Sequence, residues 1–316
     1  VPEIFLSWPI VFCATVMLTE PATTPPSKWL QLMYGAIVGI IFGLVFHIGP
    51  LYSSPELALV LGNIFAYAVS AHGKVMLRLL EKKEIAQEIM EFTFAAKRPL
   101  AFQAGQYVEW TLPHAKADNR GNRRYFTLAS SPTEEKIRLG VRLQSAASST
   151  FKQALAALPQ GGELMIGQLA GDFVLPEKTD APLIFIAGGI GVTPFRSMVK
   201  YLIDQQQKRE VTLFYAAPTP TAFAYRELFA EAKKQIGLQT VYVLSGGKQE
   251  NGAALPEGID YAGYLNADVI RQYVPHCQTS IFYLSGPNAM VESYKKVLRQ
   301  MGIPPHQIKT DYFPGF

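Results

Sequence analysis

The sequence predicts a chain in three parts: transmembrane α-helices at the N-terminus, then an antiparallel β-barrel, then an α/β domain built on a parallel sheet. Three observations lead to this prediction. Apolar residues concentrate before about residue 80, short segments of alternating polarity follow, and compact apolar segments separated by helical patterns occupy the rest. We therefore expect three domains, over residues 1–80, 81–177 and 178–316.

Three apolar segments account for the predicted membrane part. Residues 29–48 carry no Asp, Glu, Lys or Arg and have about the length that crosses a bilayer, whereas residues 4–18 and 57–72 are shorter. Such segments pack closely in lipid when small residues recur every four positions. The second and third segments have this spacing at Gly35, Gly39, Gly43, Ala58, Gly62, Ala66 and Ser70. The alternative is a buried helical hairpin outside a membrane.

Basic residues follow the third apolar segment. They are Lys74, Arg78, Lys82 and Lys83, whereas residues 49–56 contain no Lys or Arg. Because cytoplasmic flanks of membrane helices are enriched in Lys and Arg, we expect a membrane protein whose C-terminal part lies in the cytoplasm. Membrane lipid is then a partner.

Composition excludes several other classes. The formal net charge of +4 gives no reason to expect a nucleic-acid partner. Cys13 and Cys277 are the two cysteines of the sequence, so four thiolates for an iron–sulfur cluster are not available within this chain. We predict no metal site.

The middle part contains segments typical of half-exposed strands. Residues 88–96, 106–112 and 137–143 alternate in polarity, and turn-forming residues separate them. Several short strands of this kind predict a small antiparallel barrel.

The last part alternates compact apolar strands with helices. The predicted strands are residues 183–187, 211–217, 239–245 and 281–285, and the predicted helices include 194–207 and 289–302. This βαβ alternation indicates a parallel sheet with helices on both faces.

A glycine-rich stretch, "AGGIGVTP", follows the first of these strands. Gly188, Gly189 and Gly191 allow a sharp turn and a close approach of the backbone to a ligand. Thr193 and Pro194 suit the start of a helix, whose N-terminal amides attract phosphate. The alternative is a tight turn that binds nothing.

A second motif, "RRYFTLASSP" over residues 123–132, lies on a predicted strand of the barrel. Alternation puts Arg124 and Phe126 on one face and Tyr125 and Thr127 on the other. Arg124 could pair with a pyrophosphate, an aromatic ring could stack on a flat ligand, and Thr127 could donate a hydrogen bond to a ring nitrogen. The alternative is a barrel strand with an exposed arginine.

Six motifs occur in an order that resembles the ferredoxin–NADP reductase superfamily. They are "RRYFTLASSP", "SSTFKQAL", "GDFVLP", "AGGIGVTP", "YLSGPNAMV" and "IKTDYFPGF", within residues 84–316. The resemblance implies that the barrel binds FAD and that the α/β domain binds NADH or NADPH as the electron donor.

The resemblance also implies roles for individual residues. For FAD, it assigns Arg124 and the run Ser148, Ser149 and Thr150 to the diphosphate, Phe126 to the flavin ring, and Thr127 to the ring nitrogen N5. Tyr125 is a further candidate for binding the cofactor. For the nicotinamide nucleotide, the assigned residues are Gly188, Gly189, Gly191, Thr193, Pro194, Gly286 and Pro287.

Several positions depart from the pattern of the superfamily or are poorly specified by it. Phe126 replaces the usual Tyr, Ser285 replaces a frequent Cys, and Asp311 replaces a frequent Glu that could assist proton transfer at the flavin. Ser245, with Lys248 nearby, is a candidate phosphate ligand, and Phe316 is a candidate cover for the flavin.

The stretch "VMLTEPATTPP", residues 16–26, is similar to the end of the membrane subunits of the sodium-pumping NADH:quinone reductase and of the Rnf complex. This resemblance implies an acceptor in or at the membrane. Candidates are a quinone, an upstream flavin or a redox protein.

These observations predict a membrane-anchored flavoprotein oxidoreductase that passes hydride from NAD(P)H to FAD and then electrons to an unidentified acceptor. One alternative is a haem protein of the ferric-reductase or NADPH-oxidase type, for which His47 and His72 are the available histidines near the apolar segments. Another alternative is a membrane scaffold that binds nucleotide without turnover.

Overall fold

The structure is a computed structural model, and it describes residues 25, 28–43, 47–48, 51–69, 74–115, 117–119, 121–143, 148–177, 180–245 and 254–313. The chain divides into two compact units. The first comprises Val1–Lys74 and Gly167–Asp172, and the second comprises Val75–Ile166 and Phe173–Phe316. The three-domain division given above stays a prediction.

The first unit contains a pair of helices, α1 (Lys28–Gly43) and α2 (Pro55–Val69). Between them, strands β1 (His47–Ile48) and β2 (Leu51–Tyr52) form a short antiparallel pair. The helices pack through Tyr34 and Val38 of α1 and through small residues of α2, namely Ala58, Gly62 and Ala66. The predicted small-residue spacing of α2 is therefore a real contact surface.

The prediction of transmembrane helices is wrong. Helix α1 has 16 residues and helix α2 has 15, fewer than the ~20 residues that span a bilayer. Within the described part of the chain, no helix combines the length and the apolar character needed to cross a membrane. This finding contradicts the predicted membrane localisation with cytoplasmic domains. The predicted lipid partner has no support either. Residues 4–18, the "VMLTEPATT" residues and His72 lie outside the described residues.

The physical reasons are local. Helix α1 ends at Gly43, short of the predicted 29–48 span, and the described chain resumes as strand β1. A Cβ atom added at Gly35, Gly39 or Gly43 would have no atom within 4 Å outside the helix's own backbone, so their spacing forms no packing face with the described residues. Large apolar side chains nevertheless remain exposed on both helices, including Trp29 on α1 and Tyr67 on α2.

The basic residues that suggested a cytoplasmic flank belong mostly to a β-strand. Arg78, Lys82 and Lys83 lie on strand β3 (Val75–Ala86), and the first half of this strand buries Val75, Leu77 and Leu79 on one face. Alternating burial of this kind is typical of a strand with one solvated face. Arg78 is exposed on the opposite face, and the three basic residues belong to a β-strand, not to the flank of an apolar helix.

The middle of the chain forms a six-stranded antiparallel sheet. After β3 come β4 (Ile89–Ala96), β5 (Tyr107–Thr111), β6 (Arg123–Thr127), β7 (Lys136–Arg142), helix α3 (Thr150–Ala157) and β8 (Glu163–Ala170). The spatial order is β6-β5-β8-β3-β4-β7. The strands predicted at 88–96, 106–112 and 137–143 are confirmed as β4, β5 and β7.

The last part forms a six-stranded parallel sheet of order β12-β11-β10-β9-β13-β14. Its strands are β9 (Leu183–Gly188), β10 (Val211–Ala217), β11 (Gln239–Leu244), β12 (Tyr261–Ala262), β13 (Ile281–Pro287) and β14 (Ile308–Phe313). Its helices are α4 (Thr193–Asp204), α5 (Arg226–Ile236), α6 (Ala267–Tyr273) and α7 (Asn288–Gln300). The four predicted strands and both predicted helices are confirmed.

The strand order explains where a ligand can bind. Strand β9 lies between β10 and β13, and the chain leaves β9 towards one side of the sheet and later returns to its other side. Open parallel sheets form a crevice at such a reversal, outside the carboxyl ends of the strands. Every residue of β9 and β10 is buried, so these strands provide a rigid base for the loops that follow them.

Candidate functional site

A cavity of about 790 Å³ joins the carboxyl ends of the parallel strands to strand β6 of the antiparallel sheet. All of its lining residues belong to the second unit. The predicted site residues among them are Arg124, Tyr125, Phe126, Thr127, Ser148, Ser149, Gly188, Gly189, Thr193, Ser245, Gly286 and Pro287. The other lining residues are Arg123, Gly140, Val141, Arg142, Lys152, Ile190, Ala216, Pro218, Met290 and Tyr294.

Arg124 is fixed at the edge of this cavity by an acidic partner. Its Nη2 donates to both carboxylate oxygens of Asp118, at 2.6 and 2.7 Å, and its Nη1 donates to the carbonyl of Gly121 at 3.0 Å. The guanidinium carbon lies 5.6 Å from the centroid of the Phe151 ring. The arginine is thus held in one orientation, but its Nη2 donors are used by Asp118.

The two aromatic residues of β6 point to opposite sides, as alternation predicted. Phe126 lies beside Phe151, with ring centroids 5.7 Å apart, on the same side as Arg124. Tyr125 lies edge-on to Tyr107, and its hydroxyl donates to Glu109 Oε2 at 3.2 Å. Burial, and then the charge of Glu109, raise the pKa of Tyr125 to about 12, so this phenol is neutral at ordinary pH.

Two hydroxyl groups have unused hydrogen-bonding capacity. Thr127 and Ser285 are 2% and 0% exposed, and among the described residues neither Thr127 Oγ1 nor Ser285 Oγ has a hydrogen-bond partner. A buried polar atom without a partner is costly, and it indicates a ligand or water that completes it. Thr127 also lines the cavity, whereas Ser285 lies just behind Gly286.

The glycine loop follows β9 as one turn of 3₁₀-helix, Gly189–Val192, and leads directly into α4. A Cβ atom at Gly191 would lie 2.6 Å from Gly286 Cα and would collide with the carbonyl of Ser285. Gly189 has φ +54°, a left-handed conformation that favours glycine. The Thr193 hydroxyl donates to the carbonyl of Ile190 at 3.1 Å. The loop therefore offers its backbone to a ligand.

The end of β13 completes this side of the cavity. A Cβ atom at Gly286 would lie 3.2 Å from the backbone nitrogen of Gly188, so the two loops touch through their backbones. Pro287 and Met290 then line the cavity wall. The two strand ends therefore approach each other closely only because both positions are glycine.

The serine run opens helix α3, as predicted. Ser149 is the N-cap residue, and its side chain accepts a hydrogen bond from the backbone N–H of Lys152 at 3.4 Å. Thr150 Oγ1 instead contacts His114 Nε2 and accepts from the backbone N–H of Asp118, both at 3.1 Å. Thr150 therefore anchors the loop that carries Asp118 and is not among the cavity-lining residues.

The remaining predicted site residues differ in position. Pro194 is buried in the first turn of α4, and Gly191 packs against β13. Asp311 lies on β14 directly opposite Ser285 in the parallel register, outside the cavity lining. Lys248 and Phe316 lie outside the described residues.

Sequence reasoning missed several lining residues. Lys152 follows the serine run by two positions within the quoted "TFKQAL", and a cation beside a helix N-cap was a usable signal for a phosphate site. Met290 lies in the quoted "YLSGPNAMV", but nothing in its type indicated a site. Arg123 and Arg142 also line the cavity, and they pair with Glu109 and Glu88 at 3.6 and 2.9 Å.

One cavity joins an antiparallel sheet, whose edge carries cationic side chains, to a parallel sheet with a glycine loop. This arrangement is that of the two-domain reductases that bind a flavin and a nicotinamide nucleotide. Residues 185–296 match the family described as Oxidoreductase NAD-binding domain. The reductase subunit of an aromatic O-demethylase from Amycolatopsis is 30% identical over 240 residues, which cover 74% of this chain and 68% of that protein.

Two further proteins extend this comparison. A flavohemoprotein from Bacillus subtilis is 25% identical over 74% of this chain, and the chain spans 58% of its length. The FAD/NAD-binding domain of a nitric oxide dioxygenase from Vibrio cholerae has the same fold, with a TM-score of 0.66, 18% identity, and coverage of 77% of this chain and 99% of that one. The chain belongs to the FAD-dependent NAD(P)H oxidoreductases of the ferredoxin–NADP reductase type.

Proposed function

We propose that this chain takes hydride from NADH or NADPH and passes the electrons, through FAD, to a redox-protein partner. The observation that carries this proposal is that two sets of groups, one from each sheet, line the same cavity. The buried Thr127 hydroxyl, which has no partner among the described residues, lies on one side, and the touching backbones of Gly188 and Gly286 lie on the other. FAD, when bound, would supply a centre that accepts two electrons and releases them singly.

The residues of the antiparallel side fit a flavin nucleotide. Arg124, Lys152 and the amides at Ser148 and Ser149 would hold the diphosphate, because cations and helix N-termini favour phosphate. Phe126 and Tyr125 offer ring surfaces, although Phe126 lacks the hydroxyl usual in the superfamily. Thr127 would complete its hydrogen bonding on a ring nitrogen.

The residues of the parallel sheet fit the nicotinamide nucleotide. The backbone amides from Gly188 to Thr193 would bind the diphosphate at the N-terminus of α4, and Ser245 would contact a more distant phosphate or ribose. Gly286 and Pro287 would support the nicotinamide ring. We assign Ser285 Oγ to its carboxamide, since this hydroxyl is buried and has no partner among the described residues.

We assign Asp311 to proton handling near the flavin. The side chain lies on β14 beside Ser285, and it would deliver or accept a proton through that neighbour or through water. The residues of this chain thus bind and orient the two nucleotides, exclude water and hold a proton, while the redox chemistry is that of the cofactors.

The relatives support a protein as the acceptor. The Amycolatopsis relative is named as the reductase subunit of an aromatic O-demethylase, a component that serves a second protein. A quinone or an upstream flavin remains without support from the described residues. The matched segment of this chain is similar to 58% of the length of a flavohemoprotein from Bacillus subtilis.

Anaerobic reduction of the FAD-loaded chain by NADH and by NADPH tests the proposal. We expect the yellow absorbance to bleach with at least one nucleotide and to recover when an electron acceptor is added. Arg271→Met, which removes an exposed side chain of α6 that is not among the cavity-lining residues, is the control and should bleach normally. A chain that binds FAD but is reduced by neither nucleotide would be a non-catalytic nucleotide-binding protein, and the proposal would be wrong.

A further inference from the structure

Four charged residues and one tyrosine, all buried or partly buried, lie next to the cavity, at the junction of the antiparallel and parallel sheets. We call Glu91, Glu134, Arg138, Arg196 and Tyr225 the junction cluster. Glu91 and Arg196 are only 6% and 7% exposed, and none of the five residues is among those that line the cavity. Buried charges are rare unless they are paired, so their position needs an explanation.

The pairing in this cluster crosses from one sheet to the other. Arg196, in the first turn of α4, donates through Nη1 and Nη2 to the two carboxylate oxygens of Glu134, the second at 3.0 Å. Glu134 precedes β7 in the antiparallel sheet. Arg138 of β7 donates to Glu134 at 3.1 Å and to Glu91 of β4 at 2.5 Å. Arg196 therefore links helix α4 to the carboxylate of Glu134, which Arg138 also holds in place.

A second contact, made by Tyr225, supports the first. Tyr225 is a partly buried non-glycine residue with φ +61° whose hydroxyl group is buried, and the Arg196 guanidinium carbon lies 5.9 Å from its ring centroid. Its hydroxyl occupies the space above Gly140 of β7, 2.7 Å from where a Cβ atom would lie. Burial first, and then the charge of Glu91, raise the pKa of this phenol well above 10. A neutral ring thus fills a gap that only glycine leaves.

These contacts lie close in sequence to the groups assigned to the two nucleotides. Arg196 Nη1 also donates to the carbonyl of Ala129 at 3.0 Å, and Ser197 Oγ donates to the carbonyl of Ser130 at 2.6 Å. Ala129 follows Thr127 by two residues, and Arg196 follows Thr193 by three. The hydrogen bonds therefore fix the separation between Thr127 and the start of α4.

We propose that Arg196 is a positioning residue, which holds the glycine loop and strand β6 at the separation that hydride transfer requires. This inference rests on the proposed function. Arg196 touches neither nucleotide, and it acts through Glu134 and the carbonyl of Ala129. Because the reacting atoms of two bound rings must lie within about 3–3.5 Å, a small shift between the two sheets should lower the transfer rate more than it lowers affinity.

The test compares Arg196→Met, Arg196→Lys and the exposed control Arg271→Met in the FAD-loaded full chain. Rapid-mixing reduction by the active nucleotide gives a limiting rate and an apparent dissociation constant. For Arg196→Met we expect the limiting rate to fall about tenfold to a hundredfold, with the dissociation constant changed by less than about threefold. Arg196→Lys keeps the charge but not the two-pronged pairing, and it should recover only part of the rate.

A second measurement needs no activity. Spin labels at Lys136→Cys on β7 and Lys233→Cys on α5, in a Cys13→Ser and Cys277→Ser background, report the distance between the sheets in the FAD-free chain. We expect Arg196→Met to broaden or shift this distance distribution and Arg271→Met to leave it unchanged.

The outcomes separate the two proposals. A limiting rate and a label distance that both match the unsubstituted chain would overturn the positioning role, as would a rate loss fully accounted for by loss of FAD. Should Arg196→Met fail to fold, Glu134→Gln removes the charge while keeping the side-chain shape, and the same readouts apply. If neither NADH nor NADPH reduces the unsubstituted chain, the proposed function is wrong. The label distances would still show whether Arg196 fixes the separation of the two sheets.

Discussion

The two sides of the cavity are built by opposite means. The parallel-sheet side is defined by missing side chains: Gly188, Gly191 and Gly286 bring two backbones into contact. The antiparallel side is defined by side chains that are held in place, such as Arg124 by Asp118 and Phe126 by Phe151. The first side therefore tolerates no added atom at these three glycines, whereas the second depends on particular side chains.

This difference suggests how each side recognises its ligand. A surface of backbone amides binds a diphosphate common to many nucleotides and leaves specificity to the rim. A surface of oriented side chains recognises one ring system through its shape and its hydrogen-bonding atoms. The following predictions test this contrast, from the largest expected effect to the smallest.

Gly191→Ala should break the parallel-sheet side. The added methyl group would collide with the carbonyl of Ser285 and lie 2.6 Å from Gly286 Cα, and backbone atoms cannot move aside cheaply. We expect reduction by NADH or NADPH to fall by about a hundredfold or more, while FAD still binds. Rapid-mixing reduction and FAD titration measure both quantities. The control is Gly161→Asn, at a left-handed turn where an added Cβ atom would have no atom of the described residues within 4 Å, and it should behave normally.

Gly140→Ala should disturb the junction between the two sides. Its Cβ atom would lie 2.7 Å from the Tyr225 hydroxyl and 2.9 Å from Thr193 Cγ2. Overpacking of this kind costs about 1–3 kcal/mol, measurable as a lower free energy of unfolding in urea. Removing the hydroxyl with Tyr225→Phe in the same chain should recover part of the loss. No recovery in the double variant would mean that Tyr225 does not occupy this gap.

Thr127→Val should affect the antiparallel side, with opposite signs in the two forms of the chain. In the FAD-free chain, the substitution removes a buried hydroxyl that has no partner among the described residues, so stability should be unchanged or slightly higher. FAD affinity should fall about tenfold, because one hydrogen bond is lost. Thermal unfolding and fluorescence titration give the two values. Equal FAD affinity in both proteins would contradict the assignment of Thr127.

The smallest expected effect is on acid stability. Burial alone would raise the pKa of Glu134, but the hydrogen bond and charge of Arg196, with help from the N–H of Ser131 and from Arg138, lower it below 4.5. A lowered carboxyl pKa stabilises the folded state above pH 4.5, and this contribution is lost as the pH falls through the folded-state value.

Glu134→Gln should therefore flatten the fall in stability below about pH 4.5, which is seen by urea unfolding at several pH values. Asp268→Asn, with a side chain that is 93% exposed, is the control and should leave the slope unchanged. An unaltered slope in Glu134→Gln would show that Glu134 titrates alike in the folded and unfolded chain.

Much of the nucleotide-binding fold could be predicted from the sequence. Strands such as β9 and β10 are short apolar runs buried on both faces, and the glycine loop and helix α4 follow in immediate succession. Strand β6 and the N-cap at Ser149 were also predictable, because alternation along a strand and capping of a helix depend only on residues close in sequence.

The remainder depends on contacts between residues distant in sequence. Asp118 as the partner of Arg124, and Glu134 as the partner of Arg196, are visible only once the chain is folded. The membrane prediction failed for a related reason. Apolar content alone does not give the length of a helix: α1 ends at Gly43, and three of the basic residues after the third segment belong to strand β3.

Met290 sets a constraint on how this sequence can change. Its sulfur and Cε occupy the space where a side chain at Gly188 would lie, and Cε is 2.7 Å from the corresponding point at Gly286. One thioether therefore restricts two glycines that are almost 100 residues apart. Among diverged sequences, we expect these three positions to covary, with a larger residue at 188 or 286 appearing only beside a shorter residue at 290.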